Sequence, residues 1–175
     1  MGLVYLNLKL GRTRPKFKLE LSNFDKLLEV TAMVVFIYLW YLVLTSYGKL
    51  PEQIATHFDS SGKVNDVGSK ITILIFPIIA TFIYALLSII NKFPHTFNYL
   101  TEITEQNAPM QYKLATQLIR YLKATIMVTF AFISHAIITD AQSTKTSLGF
   151  EFLPIFLGAI FLPMIYYFVR MIKNK

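Results

Sequence analysis

The side chains with the most chemical potential lie in one polar stretch of this sequence, residues 50–70. The stretch contains His57, Asp59 and Asp66, and imidazole and carboxylate groups are common metal ligands. A calcium-binding loop that starts at Asp59 is excluded, because Lys63 takes its fifth position and no glutamate stands at its twelfth. A zinc site needs several ligands at useful spacing, which this stretch does not supply. We therefore predict that the protein uses no metal and no cofactor.

Other signatures of catalysis do not occur in the sequence. It has no phosphate-binding glycine loop, no Gly-x-Ser-x-Gly elbow and no His-Glu-x-x-His motif. The absence of cysteine also excludes disulfides, thiolate metal sites and a cysteine nucleophile. We predict that the protein is not an enzyme. One alternative stays open, a metal-dependent membrane enzyme in which His57 and His135 meet near the outer surface beside Asp66 or Asp140.

The stretches on either side of residues 50–70 have the composition of membrane spans. Of the 175 residues, 54% are hydrophobic and only 15% are charged, against about a quarter charged in soluble domains. The mean hydropathy is +0.50. Uncharged runs cover residues 30–48 and 71–91, and a spanning helix needs about 20 such residues. Two further spans are predicted at about 114–139 and 152–170. The sequence therefore predicts an all-α integral membrane protein, a bundle of four transmembrane helices.

The polar stretch between the first two spans is predicted to fold as a small cap. Pro51 should end the first helix, because it fixes its own φ and disfavours helix at the residue before it. Ile54, Thr56 and Phe58 alternate with the smaller or more polar Ala55 and His57, which is typical of a short strand. Residues 59–62 read Asp-Ser-Ser-Gly, a turn signal, and residues 64–67 can return along the first strand. Ser69 can then cap the second membrane helix.

Two kinds of residue are combined in this cap. Pro51, Gly62 and Gly68 satisfy demands of the backbone, so their loss should impair folding. A turn requires neither His57 nor Asp66, so these two should carry the specificity if the cap recognises a ligand. The structural alternative is that the cap only closes the end of the bundle.

The N-terminal segment, residues 1–26, differs from the membrane domain, residues 27–175. Aliphatic or aromatic residues alternate with more polar ones in 4–10 and in 16–21, on either side of the turn-prone Gly-Arg-Thr-Arg-Pro. This pattern favours a β-hairpin. An isolated hairpin is marginally stable in water, and the alternative is a basic arm that lies on anionic lipid. The net charge of +7 is assigned to lipid head groups and topology, because the basic residues flank apolar runs. We predict no nucleic-acid partner.

Four spans place both termini on the same side of the membrane. Of the 17 Lys and Arg residues, 13 lie on the side of the termini and 4 on the other side. Because basic residues concentrate in cytoplasmic loops, both termini are predicted to be cytoplasmic in the cell membrane. Residues 49–70, which include the cap, and residues 140–151 should then face outward.

The third span contains the ionisable residues closest to the membrane interior. Its uncharged core is short, so Arg120 and Lys123 are predicted at the near interface, with their stems extending toward head groups. Four residues fall on one helical face that suits close packing: Ala124, Val128, Ala131 and His135. His135 is predicted to be a neutral histidine bonded to a neighbouring helix, and a functional role is the alternative.

The cap resembles the signature of a known family, called domain of unknown function 1648. Its matching positions are Leu50, Pro51, His57, Phe58, Gly62, Asp66, Gly68 and Lys70. The resemblance continues at Pro94, Asn98, Tyr99, Asn107, Arg120 and Lys123. The family consists of small bacterial multi-pass membrane proteins, and the same module occurs in SdpI-type proteins, which protect a cell against its own secreted peptide toxin. The chain departs from the family pattern at Ala55, where Pro is frequent.

The resemblance implies peptide or toxin immunity, or envelope sensing, through the outward cap. The implied partners are the lipid bilayer and a peptide or protein at the outer face. The alternative is a subunit of a small transporter or channel. Because the spans contain few ionisable residues, a pore of that kind would require an oligomer.

Overall fold

Long helices and one hairpin make up the part of the chain that the structure describes. A computed structural model describes residues 14–142 and 148–175. The elements are α1 (Asn23–Tyr47), β1 (Gln53–Phe58), β2 (Val64–Ser69), α2 (Ile75–Ile90), α3 (Ala108–Gln142) and α4 (Phe152–Lys173). Short 3-10 turns at Lys70–Leu74 and Pro94–Thr96 precede and follow α2.

Four of the described helices are long and apolar enough to cross a membrane, by length and composition. They are α1, the continuous segment Lys70–Ile90 that contains α2, most of α3 (Ala108–Ala141), and α4. All four expose large apolar side chains, which a protein of this size covers with lipid. The predicted all-α membrane bundle with four spans and a cap between the first two is therefore confirmed.

The central helix of the bundle is α3. It contacts α1, α2 and α4. In its most apolar window 44% of the residues are buried, against only 6% in the corresponding window of α4. The fourth helix thus lies at the edge of the bundle and exposes most of its surface.

Side-chain caps set the starts of the first and third helices. Ser22 Oγ accepts from Asp25 N at 3.2 Å, and Asp25 Oδ2 accepts from Ser22 N at 2.9 Å, so α1 begins with a reciprocal capping box. Thr104 and Asn107 exchange the same kind of bonds at 2.9 and 3.2 Å. This exchange starts α3 at Ala108, because the cap satisfies backbone donors at the start of the helix.

The segment before α1 lies on the bundle without regular secondary structure. The second arm of the predicted N-terminal hairpin, residues 16–21, forms no strand, and residues 1–13 lie outside the described residues. Arg14 Nη1 donates to His95 O at 3.2 Å and also to Phe97 O. Side-chain bonds to a neighbouring loop, instead of a strand ladder, therefore hold the described part of this arm.

One apolar core connects α1, α2 and α3 with the cap. Its fully buried members include Leu39 and Val43 of α1 and Met127 of α3. Ile54 of β1 belongs to the same cluster and is only 2% exposed. The hairpin is therefore packed into the end of the bundle.

Candidate functional site

The cap is a two-stranded antiparallel hairpin with one buried end. Ile54 pairs with Gly68, and His57 pairs with Asp66, with irregular register around His57. Ile54 and Ala55 are 2% and 3% exposed, and they fix β1 against the helices. The predicted strand, turn and return strand are present at the predicted positions.

A single carboxylate organises the turn of the hairpin. Asp59 Oδ1 accepts from Ser61 N at 2.8 Å, from Ser61 Oγ at 2.6 Å and from Lys63 N at 3.1 Å. The hydroxyl of Ser61, followed by the backbone N–H of Lys63, lowers the pKa of Asp59, because these bonds favour the ionised form. Asp59 therefore works as a local turn-forming group.

Gly62 joins the tip of the hairpin to the loop that precedes α4. Its φ is +79°, and a Cβ placed there would lie 2.6 Å from the backbone nitrogen of Gly149. Leu148 N donates to Gly62 O at 3.0 Å. Both the left-handed backbone and the close approach require glycine at this position. At Gly68 a Cβ would lie 2.9 Å from Thr56 Cγ2.

His57 and Asp66 are exposed, and each bonds to a neighbour within the hairpin. His57 Nδ1 donates to Asn65 Oδ1, since an amide oxygen can only accept. Asp66 Oδ2 accepts from Thr56 Oγ1 at 3.4 Å, and Asp66 Oδ1 accepts from Val67 N at 2.9 Å. The two strand partners thus bond to different neighbours, and their side chains remain accessible.

The base of the hairpin is held by packing and by an ion pair. Leu50 is buried and Pro51 is exposed at the base, and at the other end of β1 Phe58 packs against the core. Lys70 Nζ lies 2.9 Å from Glu52 Oε1. These residues position the cap, so most of the predicted loop motif has a structural task.

A second polar cluster lies at the opposite end of α1. The structure corrects the prediction that Arg120 and Lys123 extend toward lipid head groups, because they are only 9% and 1% exposed. Arg120 Nη1 lies 3.1 Å from Asp25 Oδ1, and Arg120 Nε lies 3.4 Å from Glu29 Oε1. Lys123 Nζ lies 2.7 Å from Glu29 Oε2. We refer to Asp25, Glu29, Arg120 and Lys123 as the charge network.

The charge network joins three helices. Lys123 Nζ also donates to Ser88 Oγ of α2 at 2.9 Å and lies 4.7 Å from the ring centre of Tyr84. Gln117 Nε2 donates to Asp25 Oδ1 at 3.4 Å. Two acids on α1 face two bases on α3, so the formal charges cancel. Buried charges of this kind persist only where they are paired, and here every one has a charged partner.

Sequence reasoning missed the acidic half of this network. Asp25 and Glu29 are spaced i, i+4, and Arg120 and Lys123 are spaced i, i+3, so each pair occupies one helical face. Each pair also directly precedes an uncharged run, at the N-terminal end of that run. These two signals together favour an interhelical pairing over two separate contacts with lipid.

The remaining residues of the resemblance build the connection before α3. Tyr99 OH donates to Pro94 O at 2.9 Å, and burial raises the pKa of the Tyr99 hydroxyl. Asn107 Nδ2 donates to Glu102 O at 3.0 Å, in addition to its capping bonds. Asn98 is exposed.

His135 does not take the predicted place on a packed face. Ala124 and Ala131 are buried, but Val128 and His135 are exposed. The residues therefore divide between a packed and an open part of α3, and His135 lies on the open part. Among the residues that the structure describes, no three His, Asp or Glu side chains are grouped to hold a metal ion.

These features define a multi-pass membrane protein whose cap connects its first two spans. The model of the family described as Domain of unknown function (DUF1648) matches residues 33–91. The resemblance to that family is therefore confirmed over this segment, which covers most of α1, the hairpin and α2. Neither a search of curated proteins nor a search of solved structures found a match.

Proposed function

We propose that this protein recognises a peptide or protein at the outer face of the cell membrane through its cap, in an immunity or sensing role. The observation that carries the proposal is the division of labour within the hairpin. Ile54 and Ala55 fix it to the helices, and Gly62 fixes its tip to the loop before α4. His57 and Asp66, in contrast, are exposed, and the turn does not need them.

A hairpin that is packed against the bundle is better suited to recognition than a flexible loop. A binding surface that is already ordered loses little conformational entropy when a ligand arrives. Among the exposed side chains, His57 bonds to Asn65, which orients its ring and leaves Nε2 for a partner. Asp66 adds a carboxylate that can accept bonds from a cationic or amide-rich ligand.

The proposed orientation of the protein in the membrane follows from the distribution of its basic residues. The hairpin lies at the end of the bundle opposite to the described ends of the chain, and that end has fewer basic residues. Cytoplasmic termini would place the cap outside, where a secreted peptide reaches it first.

The test compares protection and fold in matched variants. Cells that express the chain are challenged with a panel of secreted membrane-active peptides, and purified variants are melted in detergent. We expect His57→Ala and Asp66→Asn to lose protection at near-normal melting temperature. Ser60→Ala, an exposed change in the same turn, serves as the control and should keep both. Unchanged protection in both polar variants would leave the cap as a structural plug.

The second candidate function is a subunit of a small transporter or channel. The observation that favours it is the charge network, since ionisable groups inside spans often mark transport pathways. Its acids and bases are bonded to one another, which favours a structural role for the network instead. Ion or solute flux in proteoliposomes, abolished by Lys123→Met, would support the transport candidate.

A further inference from the structure

A groove lies on the side of the bundle. It has a volume of about 570 Å³ and lies between α3 and α4, with Leu28 of α1 also contributing. Val128 and Phe132 line it from α3, and each is 48% exposed. Because these exposed side chains lie on a helix long and apolar enough to span a membrane, the groove faces the region that lipid would occupy.

The wall of the groove is aromatic. The rings of Phe132 and Phe152 stack with centroids 5.5 Å apart, and those of Phe152 and Phe156 stack at 6.0 Å. Their planes differ by only 11° and 3°. Three nearly parallel rings thus form a continuous apolar surface across the two helices, which suits a long hydrocarbon chain.

The polar groups that line the groove differ in whether they can bond to a ligand. The hydroxyl of Thr129 donates to Thr125 O at 2.9 Å within α3, so the helix already uses it. Glu151 is the one charged side chain among the described residues that line the groove, and it is exposed at the start of α4. A ligand that fits should therefore combine an apolar chain with a cationic group at one end.

The size of the groove suits one small ligand or one lipid chain. Pockets for single small ligands measure about 300–1,000 Å³, and the groove falls in that range.

We propose that this groove binds one acyl chain of a membrane lipid whose head group carries an ammonium, with the ammonium at Glu151. The apolar chain lies along the aromatic wall, and the carboxylate selects the head group by charge. Leu148 lines the groove and also donates its N–H to Gly62 O of the cap, so the groove adjoins the tip of the hairpin. The proposal stands independently of the ligand of the cap.

The test uses the full chain in lipid nanodiscs with photoactivatable lipids. Phosphatidylethanolamine and phosphatidylglycerol carry the same diazirine-labelled acyl chain, and the cross-linked peptides are mapped by mass spectrometry. We expect labels to concentrate on the groove residues of α3 and α4, compared with Phe82 of α2, which is 69% exposed elsewhere. The ethanolamine lipid should label the groove about two- to five-fold more, the effect of one exposed ion pair.

Variants distinguish binding of the acyl chain from recognition of the head group. Val128→Trp fills the groove and should reduce groove labelling several-fold, with Ala159→Phe as a second filling variant if the first folds poorly. Phe82→Trp is the matched control and should leave groove labelling unchanged. Glu151→Gln should remove the preference between the two lipids but retain the labelling.

Three results would overturn the proposal. The first is uniform labelling of all lipid-facing residues that neither filling variant changes. The second is equal groove labelling by both lipids in the unmodified chain. The third is rapid disulfide formation between copies with Val128→Cys but not with Phe82→Cys, which would place a second copy in the groove.

Discussion

Lys123 Nζ of α3 lies 2.7 Å from Glu29 Oε2 of α1, although the two residues are 94 positions apart in the sequence. The ammonium is almost fully buried, whereas the carboxylate is one-third exposed. This contact, together with Arg120 and Asp25, fixes the relative positions of α1 and α3 at the end where the chain enters the bundle. It also determines which changes the bundle should tolerate.

Removal of the acid should be more harmful than removal of the base. In Glu29→Gln the buried ammonium of Lys123 loses its charged partner, and breaking a buried pair costs about 3–5 kcal/mol. In Lys123→Met the carboxylate of Glu29 keeps Arg120 and partial contact with water, so the loss should be smaller. The free energy of unfolding in mixed micelles measures both.

The double variant provides the control for this prediction. Glu29→Gln combined with Lys123→Met should be less destabilised than the sum of the two single variants, because neither charge remains unpaired. Lys26→Met, an exposed change on α1, should have little effect. Additive losses in the double variant would show that the two groups do not act as a pair.

Glycine substitutions should distinguish the tip of the cap from an ordinary helix end. Gly62→Ala forces a side chain into a backbone with φ of +79° and within 2.6 Å of Gly149 N, so we expect a loss of at least about 1–3 kcal/mol. Gly48→Ala meets nothing within 4 Å and should be neutral or stabilising by up to about 1 kcal/mol. Thermal melts of the two variants measure the contrast, and equal melting temperatures would contradict the clamped tip.

The turn of the cap should lose stability in acid. Hydrogen bonds from Ser61 and Lys63 lower the pKa of Asp59 from its usual 3.8, so the folded turn favours the carboxylate. That contribution is complete above the unfolded pKa and is lost as the pH falls through the lowered folded value. Nuclear magnetic resonance of the Ser61 and Lys63 amides between pH 6 and 2 should show the transition. Asp59→Asn should remove it, and a transition retained in that variant would assign the effect to another group.

Chemical labelling tests the orientation of the chain in the membrane. Because the sequence contains no cysteine, single cysteines can be placed at Ser60, Ser143 and Asn174 without background. An impermeant thiol reagent added to whole cells should label the first two and spare the third, until the membrane is permeabilised. The reverse pattern would show that the cap faces the cytoplasm.

Local chemistry was enough to predict the spans and the hairpin. The uncharged runs have the length that a bilayer demands, and the Asp-Ser-Ser-Gly turn at residues 59–62 carries its own hydrogen-bonding groups. Ser69 was predicted to cap the helix after the hairpin, and its hydroxyl accepts from Ile71 N at 3.5 Å. Each of these features depends on residues within a few positions of one another.

The tertiary structure alone decided where the polar groups of the spans point. Arg120 and Lys123 stand beside a short uncharged run, which favours an interface position if the helix is considered alone. In the bundle, Asp25 and Glu29 lie at the same level on a neighbouring helix, and pairing with them replaces the contact with water. Likewise Gly62 meets Gly149 only because the hairpin folds back onto the start of α4. Because apolar spans offer lipid-like surfaces on several faces, the sequence determines which segments enter the membrane, but only packing determines which faces meet.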